Sequence, residues 1–304
     1  MSNKVGAIAL VGGTHGNELT GVHLIHHWQK SQKILEYPEF QIELMIANSE
    51  AVKANRRYLD VDLNRCFKIS DLNNPSLKSH EQSLAKQLNQ MLGPKGEARV
   101  DFIIDLHTST ANMKTNIVLI KQDAFHLSLA AFLKQQIPEA VITSETELMT
   151  DHHFLCSIAD KGIVIEVGPI AQGTIDFQIY QKTQTAIEQT LRFIRAYNRG
   201  EHFELPSTLE IMTYFDRIYF PQDEEGNISA MIAPELIGND FLPVKEGDSL
   251  FNSFAGESIY YHGEEACVAF VNEAAYYDQK LAMCLCRPRR FCLETFQPLD
   301  SNEK

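Results

Sequence analysis

Short apolar segments alternate with amphipathic ones over the first two-thirds of the chain, and this alternation constrains the fold more than any other feature. The apolar segments, which are typical of buried strands, lie at 5–11, 41–47, 102–106, 117–120 and 163–167. Amphipathic segments with the 3.6-residue period of helices lie at 18–30, 80–92, 124–136 and 177–197. Strands that alternate with helices predict an α/β layer with a largely parallel sheet.

The pattern changes after about residue 201. Residues 209–220 alternate between apolar and polar side chains, and the acidic, glycine-containing stretch 223–227 is typical of a turn. Short strand-like segments at 228–232 and 267–272 follow, with a further turn at 245–248 between them. We therefore predict two domains, an α/β domain over 1–203 and a smaller β-rich domain over 204–304.

Charge and composition exclude several classes of function. The 304 residues carry a formal net charge of −13 without a basic tail or stripe, which argues against nucleic-acid binding. No apolar run is long enough to span a membrane, and the N-terminus lacks the pattern of a secretory signal, so we predict a cytoplasmic protein. The six cysteines form no CxxC pair and are expected to be free thiols.

Two histidines and a glutamate follow two of the predicted strands. His15 and Glu18 lie three residues apart just after the first strand, where a loop that turns into a helix can direct both side chains at one point. His107 follows the strand at 102–106, and loops at the carboxyl ends of strands are where α/β sheets bind ligands. Two imidazoles and one carboxylate form a common catalytic zinc set. The alternative is a helix-capping glutamate and a surface histidine.

Two further segments carry charges in informative places. Residues 57–65 contain two arginines and an asparagine among aspartates, and they predict either a pocket that clamps a substrate carboxylate or a salt-bridged surface turn. Glu166 lies inside the apolar strand at 163–167, where partial burial would raise its pKa and make it a general base. A glutamate that points to water from an edge strand is the alternative.

Five motifs in this order resemble the succinylglutamate desuccinylase and aspartoacylase family of carboxypeptidase-like zinc hydrolases. They are GGTHGNELTG at 12–21, RYLDVDLNR at 57–65, DLHTSTANM at 105–113, IEVGP at 165–169 and VNEAAYY at 271–277. The resemblance covers nearly the whole chain. It implies a carboxypeptidase-like mixed, largely parallel sheet flanked by helices, with a β-rich C-terminal domain that narrows the active-site entrance, and a homodimer.

The resemblance also implies roles for individual residues. It implies one Zn²⁺ per chain, bound by His15, Glu18 and His107. The implied catalytic and substrate-binding residues are Glu166 as proton shuttle, Arg57 at the scissile carbonyl, Asn64 and Arg65 at the amino-acid carboxylate, Tyr276 from the second domain, and Lys280 nearby. The implied reaction is hydrolysis of N-acetyl-L-aspartate to acetate and L-aspartate. The alternatives are other N-acyl amino acids, N-succinylglutamate, or a non-catalytic zinc-binding protein of the same fold.

One position departs from the pattern of the family. Animal aspartoacylases have an arginine ten residues before the catalytic glutamate, where it binds the side-chain carboxylate of the substrate, and this chain has Cys156 there. A thiol offers no charged fork, so either Lys280 or the loop around His152 and His153 compensates, or the substrate has a less acidic side chain. We expect Cys156→Arg to raise the preference for aspartate if this position faces the substrate.

Overall fold

A computed structural model describes residues 4–146 and 151–299. The strands are β1 Ala7–Gly12, β2 Gln41–Ile46, β3 Phe102–Thr108, β4 Lys114–Leu119, β5 Ala140–Ser144, β6 Lys161–Gly168, β7 Thr208–Tyr219, β8 Ala230–Ile232, β9 Pro243–Val244, β10 Ser249–Ser253, β11 Ser258–Tyr260, β12 Ala266–Ala269, β13 Leu281–Cys292 and β14 Gln297–Pro298. The helices are α1 Leu19–Ser31, α2 Ser49–Ala54, α3 Ile69–Leu72, α4 His80–Leu92, α5 Ala124–Gln136 and α6 Phe177–Arg199. Short 3-10 turns occur at Lys33–Glu36, Leu63–Arg65, Leu155–Ile158 and Ala274–Gln279.

One large mixed sheet organises the molecule. Its strand order is β2-β1-β3-β6-β4-β5-β7-β13-β12-β9, with β14 paired to β13. Strands β2, β1, β3 and β6 run parallel, β4 is antiparallel to β6, and β5 and β7 continue parallel to β4. The carboxyl ends of β1, β3 and β6 therefore meet at one edge, where the loops after these strands lie side by side.

Helices cover both faces of this sheet because each has an apolar stripe to bury. Helices α1, α5 and α6 pack on one face, where Trp28, Phe132 and Ile187 are almost fully buried. Helix α4 packs on the other face with the turn at Leu155–Ile158. The predicted mixed, largely parallel sheet flanked by helices is confirmed.

The C-terminal part of the chain is rich in short strands, also as predicted. The twelve-residue strands β7 and β13 pair antiparallel, and β7 joins the main sheet through β5. A separate three-stranded sheet has the order β11-β10-β8. A third apolar cluster, which includes Phe220, Phe251 and Met283, fills this region. No helix in the described ranges is long and apolar enough to cross a membrane.

Candidate metal centre and active site

The loop between β1 and α1 brings His15 and Glu18 to the carboxyl edge of the sheet. Gly16 lies against helix α2, and its amide donates a hydrogen bond to the carbonyl of Arg57 at 3.1 Å. A Cβ atom on Gly16 would lie 2.1 Å from the carbonyl carbon of Ala51, closer than any real contact. Only glycine fits at position 16, because the backbone of Gly16 lies directly against the backbone of Ala51 in α2.

Gly16→Ala is expected to displace the loop that carries His15 and Glu18. The added methyl group meets backbone atoms of Ala51, which cannot move without shifting α2. We expect a loss of stability of about 1–3 kcal/mol, typical of overpacking, together with weaker metal binding. Thermal unfolding and zinc titration measure both effects. Gly6→Ala is the control, since its Cβ atom would only make an ordinary contact 3.7 Å from Asp101; equal behaviour of the two variants would contradict this prediction.

His15, Glu18 and His107 converge on one point. The Nδ1 atoms of the two histidines are 3.0 Å apart. The carboxylate of Glu18 lies 2.8 Å from Nδ1 of His15 and 2.9 Å from Nδ1 of His107. All three side chains are buried, and their candidate ligand atoms lie within 4.8 Å of one another. The fold thus brings His107 close enough to His15 and Glu18, which lie at least 89 positions before it in the chain, for all three to share one ion.

Two aspartates hold the outer nitrogens of these histidines. Nε2 of His15 lies 2.9 Å from Asp62, and Nε2 of His107 lies 3.0 Å from Asp105. Thr14 donates a hydrogen bond to the other oxygen of Asp105 at 2.7 Å. A carboxylate on the outer nitrogen fixes the tautomer and leaves the inner nitrogen free to bind a metal. The two imidazoles and one carboxylate therefore fit a divalent metal of the zinc type by donor chemistry and orientation.

The charges in this cluster also favour a bound cation. Burial would lower the pKa of His107, but Asp105 and Glu18 outweigh it and hold the pKa well above its usual value. Burial would raise the pKa of Glu18, yet His15 and His107 keep it well below its usual value. The carboxylates of Glu18, Asp62 and Asp105 therefore surround the two imidazoles. The two Nδ1 atoms lie too close together for both to carry protons.

A buried glutamate on α4 holds the segment 57–65 in place. The carboxylate of Glu81 accepts hydrogen bonds from the amides of Leu59 at 2.7 Å, Asp60 at 3.0 Å and Val61 at 3.1 Å. It also accepts one from the side chain of Asn48 at 3.1 Å. One carboxylate thus replaces the regular hydrogen bonds that this irregular backbone lacks. The result is a rigid segment whose arginines face the metal centre.

The structure favours the pocket over the surface turn for this segment. Arg57 donates to Asp62 at 3.0 Å and to Glu18 at 3.0 Å, and it lines the cavity beside the metal centre. Asn64 accepts a hydrogen bond from the amide of Leu155 at 2.7 Å and lies 3.4 Å from Nε2 of His107. The guanidinium of Arg65 lies over the ring of Phe154, 5.7 Å from its centroid.

Glu166 lies in the middle of the sheet, not on an edge strand. Strand β6 lies between β3 and β4, and Glu166 is opposite His107 on one side and Asn116 on the other. Its side chain lines the same cavity as His15 and His107. Burial raises the pKa of Glu166 to about 8, with the charge of Glu18 adding to the rise and His107 opposing it. A pKa near neutrality suits a group that both accepts and donates a proton.

The C-terminal region supplies one wall of the site. Glu273 accepts hydrogen bonds from Ser109 Oγ at 2.7 Å and from the amide of Ala111 at 3.0 Å, which joins this region to the loop after β3. Tyr276, three residues later, lines the cavity, the place that the family resemblance implies for it. Lys280 does not reach it, because its ammonium donates to Gln222 and to the Gly226 carbonyl. Lys280 therefore does not line either cavity of the site.

Two adjoining cavities share this site. The smaller one surrounds the metal centre, and both are lined by His15, Arg57, His107, Glu166, Phe270 and Tyr276. The larger one extends along the sheet and is further lined by Asn64, Arg65, Val118, Glu145, Phe154, Val164 and Tyr214. The predicted site residues therefore come together here, with the exception of Lys280. Asp62, Asp105, Glu81 and Glu145 are additions that the structure reveals.

Cys156 does not face these cavities. It is fully buried in the apolar cluster on the α4 face of the sheet, close to the backbone of Gly162. An arginine at this position would place a charge in a packed core, so we no longer expect Cys156→Arg to change substrate preference. His152 lines a separate surface cavity, and His153 lines neither cavity of the site.

Comparison with protein-family models gives two matches. Residues 4–194 match the succinylglutamate desuccinylase/aspartoacylase catalytic domain. Residues 207–288 match the AstE/AspA barrel-sandwich hybrid domain. The matches cover the α/β layer and most of the β-rich region; the boundary at 203/204 stays a prediction.

Individual proteins with known names are similar over nearly their whole length. A probable aspartoacylase of Trichodesmium erythraeum is 39% identical over 284 residues, which is 93% of this chain and 97% of the relative. An N-acyl-aromatic-L-amino acid amidohydrolase (carboxylate-forming) of Xenopus laevis is 36% identical, covering 93% of this chain and 94% of the relative. The crystal structure of murine aminoacylase 3 superposes with a TM-score of 0.91 at 31% identity, covering 98% of this chain and 99% of that one.

Proposed function

This chain belongs to the succinylglutamate desuccinylase/aspartoacylase family, and we propose that it is a zinc-dependent amidohydrolase that cleaves N-acyl amino acids into a carboxylate and a free amino acid. The observation that carries the proposal is the convergence of His15, Glu18 and His107 beside Glu166 in one cavity. Binding of a metal alone would not require Glu166 and Arg57 in the same cavity wall, so the arrangement favours catalysis over the non-catalytic alternative.

We propose that one Zn²⁺ per chain is held by Nδ1 of His15, Nδ1 of His107 and the carboxylate of Glu18. The ion, when bound, would lower the pKa of a water molecule and polarise the amide carbonyl. Asp62 and Asp105 keep the two imidazoles oriented through their Nε2 atoms. The protein would thus supply three ligands, the number that catalytic zinc sites take from the protein.

Glu166 moves the proton in the proposed reaction. Its carboxylate takes a proton from the attacking water and returns it to the amide nitrogen as the amine departs. The raised pKa of Glu166, about 8, reduces the energy difference between the two protonation states that this exchange requires. Glu166 lies opposite His107 in the sheet, so its carboxylate is next to the metal centre.

Three basic or polar side chains bind and orient the substrate in this proposal. Arg57 directs its guanidinium at the carbonyl oxygen, where negative charge develops, and Asp62 and Glu18 hold it in place. Arg65 and Asn64 bind the carboxylate of the amino-acid part, for which a planar fork is well suited. Tyr276 closes the cavity from the C-terminal side.

Two classes of amino acid are candidates for the acylated substrate. N-acetyl-L-aspartate, which would give acetate and L-aspartate, is supported by the five sequence motifs and by relatives that are named probable aspartoacylases. N-acyl aromatic amino acids are supported by the rings of Phe154, Tyr214, Phe270 and Tyr276 along the cavity and by the name of the Xenopus laevis relative. N-succinylglutamate is less well supported, because it needs room for a second acidic chain.

A panel of N-acyl amino acids tests the proposal. We expect the purified, zinc-loaded protein to release the free amino acid from at least one N-acetyl amino acid, with the metal content measured on the same sample. Removal of the metal with a chelator should abolish the release, and added Zn²⁺ should restore it. Absence of turnover on the whole panel by protein that holds one zinc would contradict catalysis and favour a zinc-binding role. The homodimer and the cytoplasmic location stay predictions.

A further inference from the structure

A carboxylate that the proposed chemistry does not use lies in the wall of the larger cavity. Glu145 directly follows strand β5 and is half-buried. Its carboxylate makes no hydrogen bond or ion pair with another side chain in residues 4–146 and 151–299, although it lines the cavity beside Arg65. A carboxylate without a side-chain partner in the wall of a cavity is available to a ligand of opposite charge that enters the cavity.

Strand register places Glu145 far along the sheet from the reacting centre. Glu166 lies opposite Asn116 of β4, whereas Ser144, the residue before Glu145, lies opposite Leu119 of the same strand. The backbone of Glu145 is therefore about four residues of strand, or roughly 13 Å, beyond the level of Glu166. A substrate whose amide lies beside Glu166 reaches Glu145 only through an extended side chain.

The wall between these two carboxylates is apolar. Val118 and Val164 face each other across β4 and β6, and both line the cavity. The rings of Phe154 and Tyr214 line it as well. Such a channel suits a stem of methylene groups, which gains free energy from burial and needs no hydrogen-bond partners along its length.

The charges around Glu145 indicate which chemical group should lie at the end of the substrate side chain. Arg57 is already paired with Glu18 and Asp62, and a bound substrate carboxylate would neutralise Arg65. Burial raises the pKa of Glu145, while Arg65 and Arg217 oppose the rise without cancelling it. When a substrate carboxylate neutralises Arg65, this opposition weakens, and a cationic group that enters the cavity beside Glu145 would take the place of Arg65 as the partner of its ionised form.

We propose that Glu145 determines specificity, and that it selects N-acyl amino acids with an extended aliphatic side chain that ends in a positive charge, of the lysine, ornithine or arginine type. This inference rests on the proposed amide hydrolysis and adds a third candidate substrate class to the two given above. The side chain of aspartate is too short to reach Glu145 and carries the same sign of charge. An aromatic side chain would fill the apolar channel and leave the carboxylate unpaired.

The experiment compares substrates within one enzyme preparation, so that differences in folded fraction cancel. The substrates are Nα-acetyl-L-lysine, Nα-acetyl-L-norleucine, which has nearly the same stem without the ammonium group, and N-acetyl-L-aspartate. For the unmodified protein we expect kcat/KM for the lysine substrate to exceed that for the norleucine substrate by about tenfold or more. In Glu145→Gln this ratio should fall about tenfold, and the ratio of aspartate to norleucine should rise.

Glu139→Gln is the matched control, because Glu139 lies just before β5, is exposed and lines neither cavity of the site. It should leave both ratios unchanged. If Glu145 only supports Arg65, Glu145→Gln will lower all three rates by the same factor, and the inference is overturned. Hydrolysis without a lysine preference overturns it too, while leaving the proposed function intact. No hydrolysis of any N-acyl amino acid overturns the proposed function and this inference together.

Discussion

Glu166→Gln is expected to reduce kcat by about a hundredfold to ten-thousandfold, the usual contribution of a general acid–base group. Glutamine keeps the size of the side chain and its place between β3 and β4, but its amide cannot take a proton from water. Because Glu166 is not among the three converging ligand residues, the variant should bind zinc as the unmodified protein does. Glu166→Ala should lose as much activity. Single-turnover and steady-state rates with the best substrate of the panel measure the effect.

The control for Glu166 is a glutamate in another strand of the same sheet that lines neither cavity of the site. Glu43 lies in the edge strand β2 with an exposed side chain, and Glu43→Gln should keep the full rate. Full activity of either Glu166 variant would show that another group moves the proton, even if amide hydrolysis itself were observed.

His107→Ala is expected to weaken zinc binding by more than about a hundredfold and to abolish turnover. Loss of an outer carboxylate that supports a metal-bound histidine typically costs about 10–100-fold in metal affinity, and loss of the ligand itself should cost more. Asp105→Asn should therefore give a smaller decrease, since Asp105 acts through Nε2 of His107. Competition with a chromophoric chelator measures the affinities, and the rates are measured on the same samples.

A buried histidine outside the site serves as a control that separates loss of metal binding from loss of stability. His126 is fully buried and lies 2.8 Å from Asp123, and it lines neither cavity of the site. His126→Gln should lower thermal stability and leave the zinc stoichiometry at one per chain. Equal zinc affinity in His107→Ala and His126→Gln would rule out His107 as a ligand.

The sequence was most informative where hydrophobic period and chain order suffice. The period of the apolar residues located α1, α4, α5 and α6 within a few residues, because each must bury one stripe against the sheet. The order of strands and loops brought His15 and His107 to neighbouring strand ends, which the observed parallel pairing of β1 and β3 explains. Strand β5 was not predicted, since its five residues show no clear apolar alternation.

Residues whose role depends on distant pairing could not be predicted. Glu145 lies in a stretch of sequence with no motif, and only the register of β4 against β5 and β6 places it in the wall of the larger cavity. Glu81 resembles any first-turn helix glutamate until the segment at 59–61 is seen to fold over it. The contact between Asp105 and His107, in contrast, could be predicted from the sequence. The two residues lie two positions apart in β3, so their side chains are on the same face of the sheet. The position of Lys280 could not be predicted, because its ammonium binds to the turn at 222–226 and not to the cavity.

The most direct measurement is anomalous diffraction at the zinc absorption edge from crystals of the zinc-loaded protein. We expect one peak per chain, with ligand distances of about 2.0–2.2 Å to Nδ1 of His15, Nδ1 of His107 and the carboxylate of Glu18. A peak bound by other residues, or an active protein without a peak at this position, would contradict this expectation.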